Sequence, residues 1–235
     1  MKASPRIPLI EDLTTGPVIP GAQVLVEYDP VSVWYDASVS IAAGWLKTGG
    51  RASYNVAAQS PEHIRLQLKR LALNVEKLEE DGTLEIDDWY TATLGQKSKE
   101  RYSLNSMKVH DLSIMFAKQV ATSEPQVGYL MVRDDLSVFD RFNEEKNWVE
   151  FLLTRMIPGN RGRQFTSIRG LMKGIHSNWA YKQLEAAVDG VVDFKLDETT
   201  DPPTNLMRIK SMRNIGFDGR WHQLKRSENS EVTLV

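Results

Sequence analysis

Two groups of residues in this sequence have the capacity for chemistry. One is the adjacent carboxylate pair Asp134-Asp135, one residue past the apolar run VGYLMV. The other is a set of cations, Arg155, Arg161, Arg163, Arg169 and Lys173, around the stretch PGNRGRQ. Paired carboxylates at a strand end can hold a divalent cation, or can accept hydrogen bonds from nearby backbone N–H groups. The second use needs no partner ion and is the preferred reading. Clustered cations can neutralise phosphates, or can sit on a solvated loop, and PGNRGRQ reads as a flexible one. Other chemistries are excluded by composition. With no cysteine in the chain, disulfides, thiolate nucleophiles and Cys-based zinc sites are ruled out. His63, His110, His176 and His222 show no metal-ligand spacing such as HExxH and read as structural or solvent-exposed. Neither Gly-x-Ser-x-Gly nor a local Ser-His-Asp grouping occurs. Gly-Lys-Ser and Gly-Lys-Thr are also absent. A phosphate cradle needs glycines that bring N–H groups to the phosphate oxygens, a lysine for the terminal phosphates and a hydroxyl for Mg²⁺.

The elements that would position these residues alternate between short apolar runs and helical patterns, as in a mainly parallel sheet covered by helices. QVLVE (23–27) is the first strong strand candidate. A helix over 33–46 follows, with Trp34, Ala37, Ile41 and Trp45 on one face, and Gly49-Gly50 ends it. Residues 51–56 read as a second strand. Ser60-Pro61-Glu62 is a helix start built from a capping hydroxyl, a proline at the first position and an acid at the positive end of the dipole; Ile64, Leu68 and Leu71 give that helix its buried stripe. TLEIDDWY predicts a strand, 106–120 a helix and VGYLMV (127–132) a buried strand. A helix from Asn143-Glu144-Glu145, with Trp148, Leu152 and Met156 on one face, is expected to stop at Pro158-Gly159. A last helix over 178–188 leads into VVDFKL, and NLMRIKSM, RWHQL and EVTLV suggest antiparallel strands.

Bulk composition is that of an ordinary globular chain, 41% hydrophobic and 26% charged, with a formal net charge of −2 that imposes no nucleic-acid or anionic-membrane partner. The N-terminus MKASPRIPLIEDL lacks a secretory apolar stretch, and no segment approaches the ~20 apolar residues of a membrane span. These features lead to the expectation of a cytoplasmic protein with no membrane partner, organised as one domain over 1–235.

The order of the pieces resembles the RecA-like ATPases of the KaiC-type branch over nearly the whole chain. Leu25-Val26-Glu27-Tyr28 stands where the family has Leu-Leu-Glu-Gly before its phosphate loop. Ala58-Gln59-Ser60-Pro61-Glu62 is similar to its Glu-Glu-Ser-Pro-Glu, and Asp134-Asp135-Leu136-Ser137 to the Asp-Ser-Leu-Ser that ends its Walker B strand. HSNWAYKQLEAAVDGVVDFKL and RIKSMRNIGFD resemble the late helix–turn–strand and the basic C-terminal strand. The resemblance implies an α/β RecA-like three-layer fold, its mainly parallel central sheet flanked by helices, with C-terminal antiparallel strands.

It also locates a nucleotide site whose residues have changed. Along Tyr28-Asp29-Pro30-Val31-Ser32-Val33-Trp34-Tyr35, valines replace the two late glycines at Val31 and Val33. Trp34 stands at the lysine position and Tyr35 at the magnesium-hydroxyl position. Asp29 adds negative charge where a triphosphate would lie. Ala58 and Gln59 replace the paired acids that carry the general base, and only Asp134 keeps the metal-coordinating position. Pro30, Ser32, Trp34, Tyr35 and Asp134 therefore outline a degenerate nucleotide cleft at which ATP and Mg²⁺ are not expected to bind conventionally. Trp34 and Tyr35 either fill that cleft, stack on another planar ligand, or pack the helix start against the sheet; packing is preferred, since aromatics at helical spacing are usually core.

By the same resemblance Arg161 and Arg163 lie on the side from which DNA-binding relatives touch single strands. Net charge and the lack of aromatic-basic alternation weigh against that contact. Lys210 and Arg213 lie where the family reaches the nucleotide of an adjacent subunit, or else form a salt-bridged exposed strand. The resulting expectation is a catalytically inactive regulatory or scaffolding protein of an archaeal type, linked to signal transduction. It would work by self-association, through a protein partner, or with an active KaiC-like paralogue. An ATPase with an unconventional site and a single-stranded-DNA-binding recombination-mediator-like module are the alternatives.

Overall fold

A computed structural model describes residues 5–122 and 128–235; Val127, the first residue of the expected VGYLMV strand, lies outside them. The strands of the described residues form one sheet in the order β10-β9-β8-β7-β1-β6-β5-β2-β3-β4. Their ranges are β1 Gln23–Tyr28, β2 Arg51–Val56, β3 Leu84–Asp88, β4 Tyr102–Ser103 and β5 Tyr129–Arg133. The rest are β6 Thr166–Met172, β7 Gly190–Asp197, β8 Thr204–Met212, β9 His222–Arg226 and β10 Val232–Leu234. From β4 to β7 every pairing is parallel, and from β7 to β10 every pairing is antiparallel. The expected mainly parallel sheet with antiparallel C-terminal strands is thus what the chain forms.

Helices cover both faces of the sheet. On one face α1 (Trp34–Lys47) and α2 (Pro61–Arg70) pack on Val24, Val26, Tyr54, Val132 and Ile168. Ile7, Leu9 and Ile10 of the N-terminal segment join this layer, and Gly44 of α1 lets Pro8 approach so closely that a Cβ would clash. α3 (Val75–Glu80) follows on the same side through Val75, and the one-turn α4 (Tyr90–Thr93) succeeds β3. The opposite face carries α5 (Val109–Thr122), α6 (Glu145–Phe151), α7 (Ile157–Gly162) and α8 (Asn178–Ala187), packed on Leu25, Leu171 and Val191. Two apolar layers on one sheet explain why β1 is buried throughout: a central parallel strand has no solvent side.

Local signals account for most boundaries. The Ser60 side chain accepts from His63 N–H at 3.3 Å and starts α2. Gly49, with φ +88°, reverses the chain after α1, and Ser177 caps α8 by accepting from Ala180 N–H at 3.2 Å. Several expectations need correction. The helix from Glu145 does not end at Pro158-Gly159. It passes through a π-helical stretch, Leu152–Met156, and continues as α7 to Gly162. A proline breaks a helix because it lacks an N–H and its ring meets the carbonyl four residues back. The wider π turn just before Pro158 opens that spacing, so the chain stays helical. PGNRGRQ is accordingly not a flexible loop. β6 was not anticipated because Ser167, Arg169 and Gly170 break its apolar run, although it lies at the centre of the sheet between β1 and β5. TLEIDDWY is strand only as far as Asp88.

Candidate functional site

β1 delivers the chain to the turn Asp29-Pro30-Val31-Ser32. Ser32 N–H donates to the Asp29 carbonyl at 2.9 Å and Ser32 Oγ donates to the same oxygen at 2.7 Å. The backbone bond is the closing contact of a four-residue turn and uses the Ser32 amide. The next amide, Val33 N–H, is taken by Asn205 Oδ1 at 2.9 Å from β8, and Asp29 N–H donates to the Phe194 carbonyl at 3.1 Å. Pro30 and Val31 sit exposed at the tip. An ammonium group at the turn belongs to Lys173, just past the end of β6. It pairs with Asp29 at 3.2 Å and with Asp193, and donates to the Phe194 carbonyl at 2.8 Å.

Trp34 opens α1 and is fully buried. Its indole lies between Tyr28, with ring centroids 6.0 Å apart, and Phe194, at 5.4 Å. Nε1–H donates to the Asp134 carbonyl at 2.7 Å, which satisfies the polar edge of a buried indole. Gly170 in β6 makes this seat: a Cβ there would overlap both the Asp134 carbonyl oxygen and the indole nitrogen. Tyr35 hydrogen-bonds Tyr28, hydroxyl to hydroxyl, at 2.9 Å, and burial holds both phenols well above the ordinary tyrosine range.

Asp134 is fully buried beneath this cluster. Its carboxylate accepts from Ala57 N–H at 2.9 Å and from Ala58 N–H at 3.3 Å, at the end of β2. Burial is the main cause that pushes its pKa up to about 7. Asp135 accepts from Ser137 N–H at 2.8 Å, and burial raises its pKa as well. Ala58 and Gln59 offer no carboxylate at the end of β2.

A family model described as "ATPase: KaiC" matches residues 41–232. The chain belongs to the KaiC ATPase family. The matched stretch of this KaiC-family chain begins inside α1, so the turn and Trp34 precede it. Among solved structures, the chain is similar to the KaiC-like protein PH0186 from the hyperthermophilic archaeon Pyrococcus horikoshii OT3, with a TM-score of 0.74 and 15% identity. That likeness covers 100% of this chain and 99% of the other and bears on the fold. No curated protein matches the chain.

The structure disperses the remaining residues singled out in the sequence. Arg161 is exposed and pairs with Asp189 at 3.0 Å. Arg163 is buried, its guanidinium 5.1 Å from the Phe116 ring centre and 4.9 Å from that of Phe165. The two do not form one surface. Lys210 bonds Glu27 and Glu185, each at 2.7 Å, and Arg213 donates to the Ala186 carbonyl at 2.7 Å, at the end of α8. Both cations are thus engaged within the chain.

One grouping was missed because its members come from separate elements. Ligand atoms of Asp140, Glu145 and His176 lie within 4.8 Å of one another. Each makes a bond elsewhere, while His176 Nδ1 stays buried without a hydrogen-bond partner, 3.7 Å from Glu145 Oε1. Asp140 accepts from Trp148 Nε1–H at 3.3 Å, Glu145 from Ser177 N–H at 2.8 Å, and His176 Nε2 bonds Ser137 Oγ at 2.9 Å. Among the described residues, no helix is long and apolar enough to cross a membrane.

Proposed function

We propose that this chain is a non-catalytic member of the KaiC family, acting as a regulatory or scaffolding subunit that assembles with copies of itself or with an active relative. One observation carries the reading: the Trp34 indole fills the place beside Asp134, its N–H bonded to the Asp134 carbonyl at 2.7 Å.

The residues present do not fit a magnesium–triphosphate group. A triphosphate is held by free backbone N–H groups and an ammonium aimed at its oxygens. Here the turn amides of Ser32 and Val33 are consumed by Asp29 and Asn205, and Lys173 is held by two carboxylates. Mg²⁺ relies on substrate phosphates plus one or two carboxylates, and both oxygens of Asp134 accept backbone N–H groups. With no carboxylate at Ala58 and Gln59, an attacking water lacks an orienting base. Retention of the family core beside this altered site supports a role in assembly over one in turnover.

Calorimetric titration with ATP and Mg²⁺, paired with a phosphate-release assay, tests the proposal. No heat of binding at micromolar protein and no release above background are expected. Micromolar binding with phosphate release abolished by Asp134→Ala would overturn it.

A further inference from the structure

On the face of the sheet opposite Trp34, beneath α5 and the π-helical stretch, lies a cavity of about 670 Å³. That is within the ~300–1,000 Å³ range of small-molecule sites. Trp89, Phe116, Tyr129 and Phe165 are among the residues of its walls, and Arg133 and Arg163 line it as well. Arg133 sits in β5 directly opposite Arg169 of β6 in the parallel register. The two residues are 3% and 1% exposed.

Two like charges side by side on neighbouring strands repel, and each buried ion costs several kcal/mol unless it is paired. Yet among the described residues no carboxylate comes within ion-pair distance of Arg133, Arg163 or Arg169. Arg133 donates to Ser167 Oγ at 2.9 Å and to the Met131 sulfur at 3.8 Å; Arg169 reaches Gln23. Nε of Arg133, and Nε and Nη1 of Arg169, are buried without an acceptor. Burial accordingly drives the Arg133 pKa down to about 10. The cavity's carboxylates stand on β3, across β2 from Arg133, and are already in use: Glu85 accepts from Tyr129 O–H at 2.7 Å and Asp87 from Asn55 Nδ2–H at 2.9 Å.

We propose that this cavity binds a small organic anion, with an aromatic or branched apolar body among the rings and one carboxylate, sulfonate or phosphate head on Arg133. Such a head would offset the charge of the Arg133–Arg169 pair. The site is independent of the nucleotide turn, so it stands or falls apart from the proposed function.

The probes are 8-anilinonaphthalene-1-sulfonate and its uncharged counterpart N-phenyl-1-naphthylamine, followed by fluorescence with the intact chain. One saturable sulfonate site per chain is expected. Arg133→Met should weaken sulfonate binding by at least ~10-fold, the scale of a lost charge-assisted hydrogen bond, and change binding of the neutral probe by less than ~3-fold. Met115→Trp, filling the cavity from α5, should weaken both. Equal losses for the two probes in Arg133→Met, or unchanged binding in Met115→Trp, would overturn the site. If Arg133→Met loses its near-ultraviolet dichroism, competition on the native chain decides. Displacement of the sulfonate by benzoate or phenyl phosphate but not by benzyl alcohol supports the site and identifies the head; displacement by benzyl alcohol to the same degree refutes it.

Discussion

Trp34 shows how a large aromatic is accommodated at a helix start beside a buried carboxylate. A lysine there would need an anion to face. An indole needs rings and one acceptor, and Tyr28, Phe194 and the Asp134 carbonyl supply them. Trp34→Ala should therefore cost about 3–5 kcal/mol, the range for deleting a large buried aromatic, read as a fall in the urea midpoint. Gly170→Ala should also destabilise, by about 1–3 kcal/mol, because overpacking forces a shift of the Asp134 backbone or the indole; an unchanged midpoint would mean the indole does not sit against β6. Asp134 gives a pH signature. Its folded pKa of about 7 lies above the ordinary 3.8, so the native state binds the extra proton between those values. Its contribution is fully present below pH 3.8 and is lost as pH rises through 7, with a limiting slope of about −1.4 kcal/mol per unit. Asp87, raised to about 6 by burial, adds a slope of the same sign, and His176, lowered by burial, opposes both at acid pH. The informative quantity is thus the difference between native and Asp134→Asn stabilities from pH 5 to 8. It should shift by more than about 1 kcal/mol in favour of the variant as pH rises.

At the scale of elements, one coupling runs through β8. Lys210 ties β8 to Glu27 of β1 and Glu185 of α8. Glu27 is buried, and burial raises its pKa against the opposing pull of Lys210. Lys210→Met leaves that carboxylate unpaired and should cost about 2 kcal/mol, below the ~3–5 kcal/mol of a fully buried pair because the lysine is 29% exposed. A cost near zero would mark this lysine as idle within the chain and restore interest in it as a contact to a neighbour. The run from α6 through the π-helical stretch to α7 shows why Pro158 misled: two-letter breaker signals assume α spacing, and a π turn removes the clash they rely on. Ser60-Pro61 and Gly49, by contrast, act through their own backbone and were legible at once.

For the whole molecule, a KaiC-family sheet stands around a turn whose Ser32 and Val33 amides are bonded to Asp29 and Asn205. If assembly rather than turnover is the role, light scattering should give the same oligomeric state with and without ATP and Mg²⁺. A shift in mass on adding nucleotide would contradict that. Single-stranded DNA is a further check. With Arg163 packed between Phe116 and Phe165, only Arg161 of that pair can meet a phosphate. Binding at low salt should be absent, and any that occurs should be no weaker in Arg163→Gln.

Sequence alone determined whatever rests on local chemistry: the caps and turns that delimit α1 and α2, the apolar runs of β1 and β5, and the absence of any Gly-Lys-Ser or Gly-Lys-Thr. Those features are read from neighbours a few residues apart, where sterics and hydrogen-bond capacity act without knowledge of the fold. Only the tertiary structure decided that Trp34 lies against Gly170 and Asp134, that β6 occupies the centre of the sheet, and that Arg133 and Arg169 stand side by side without a carboxylate. These pairings join residues tens to more than a hundred positions apart, and what makes them favourable or costly is removal from water, which no single segment of sequence specifies.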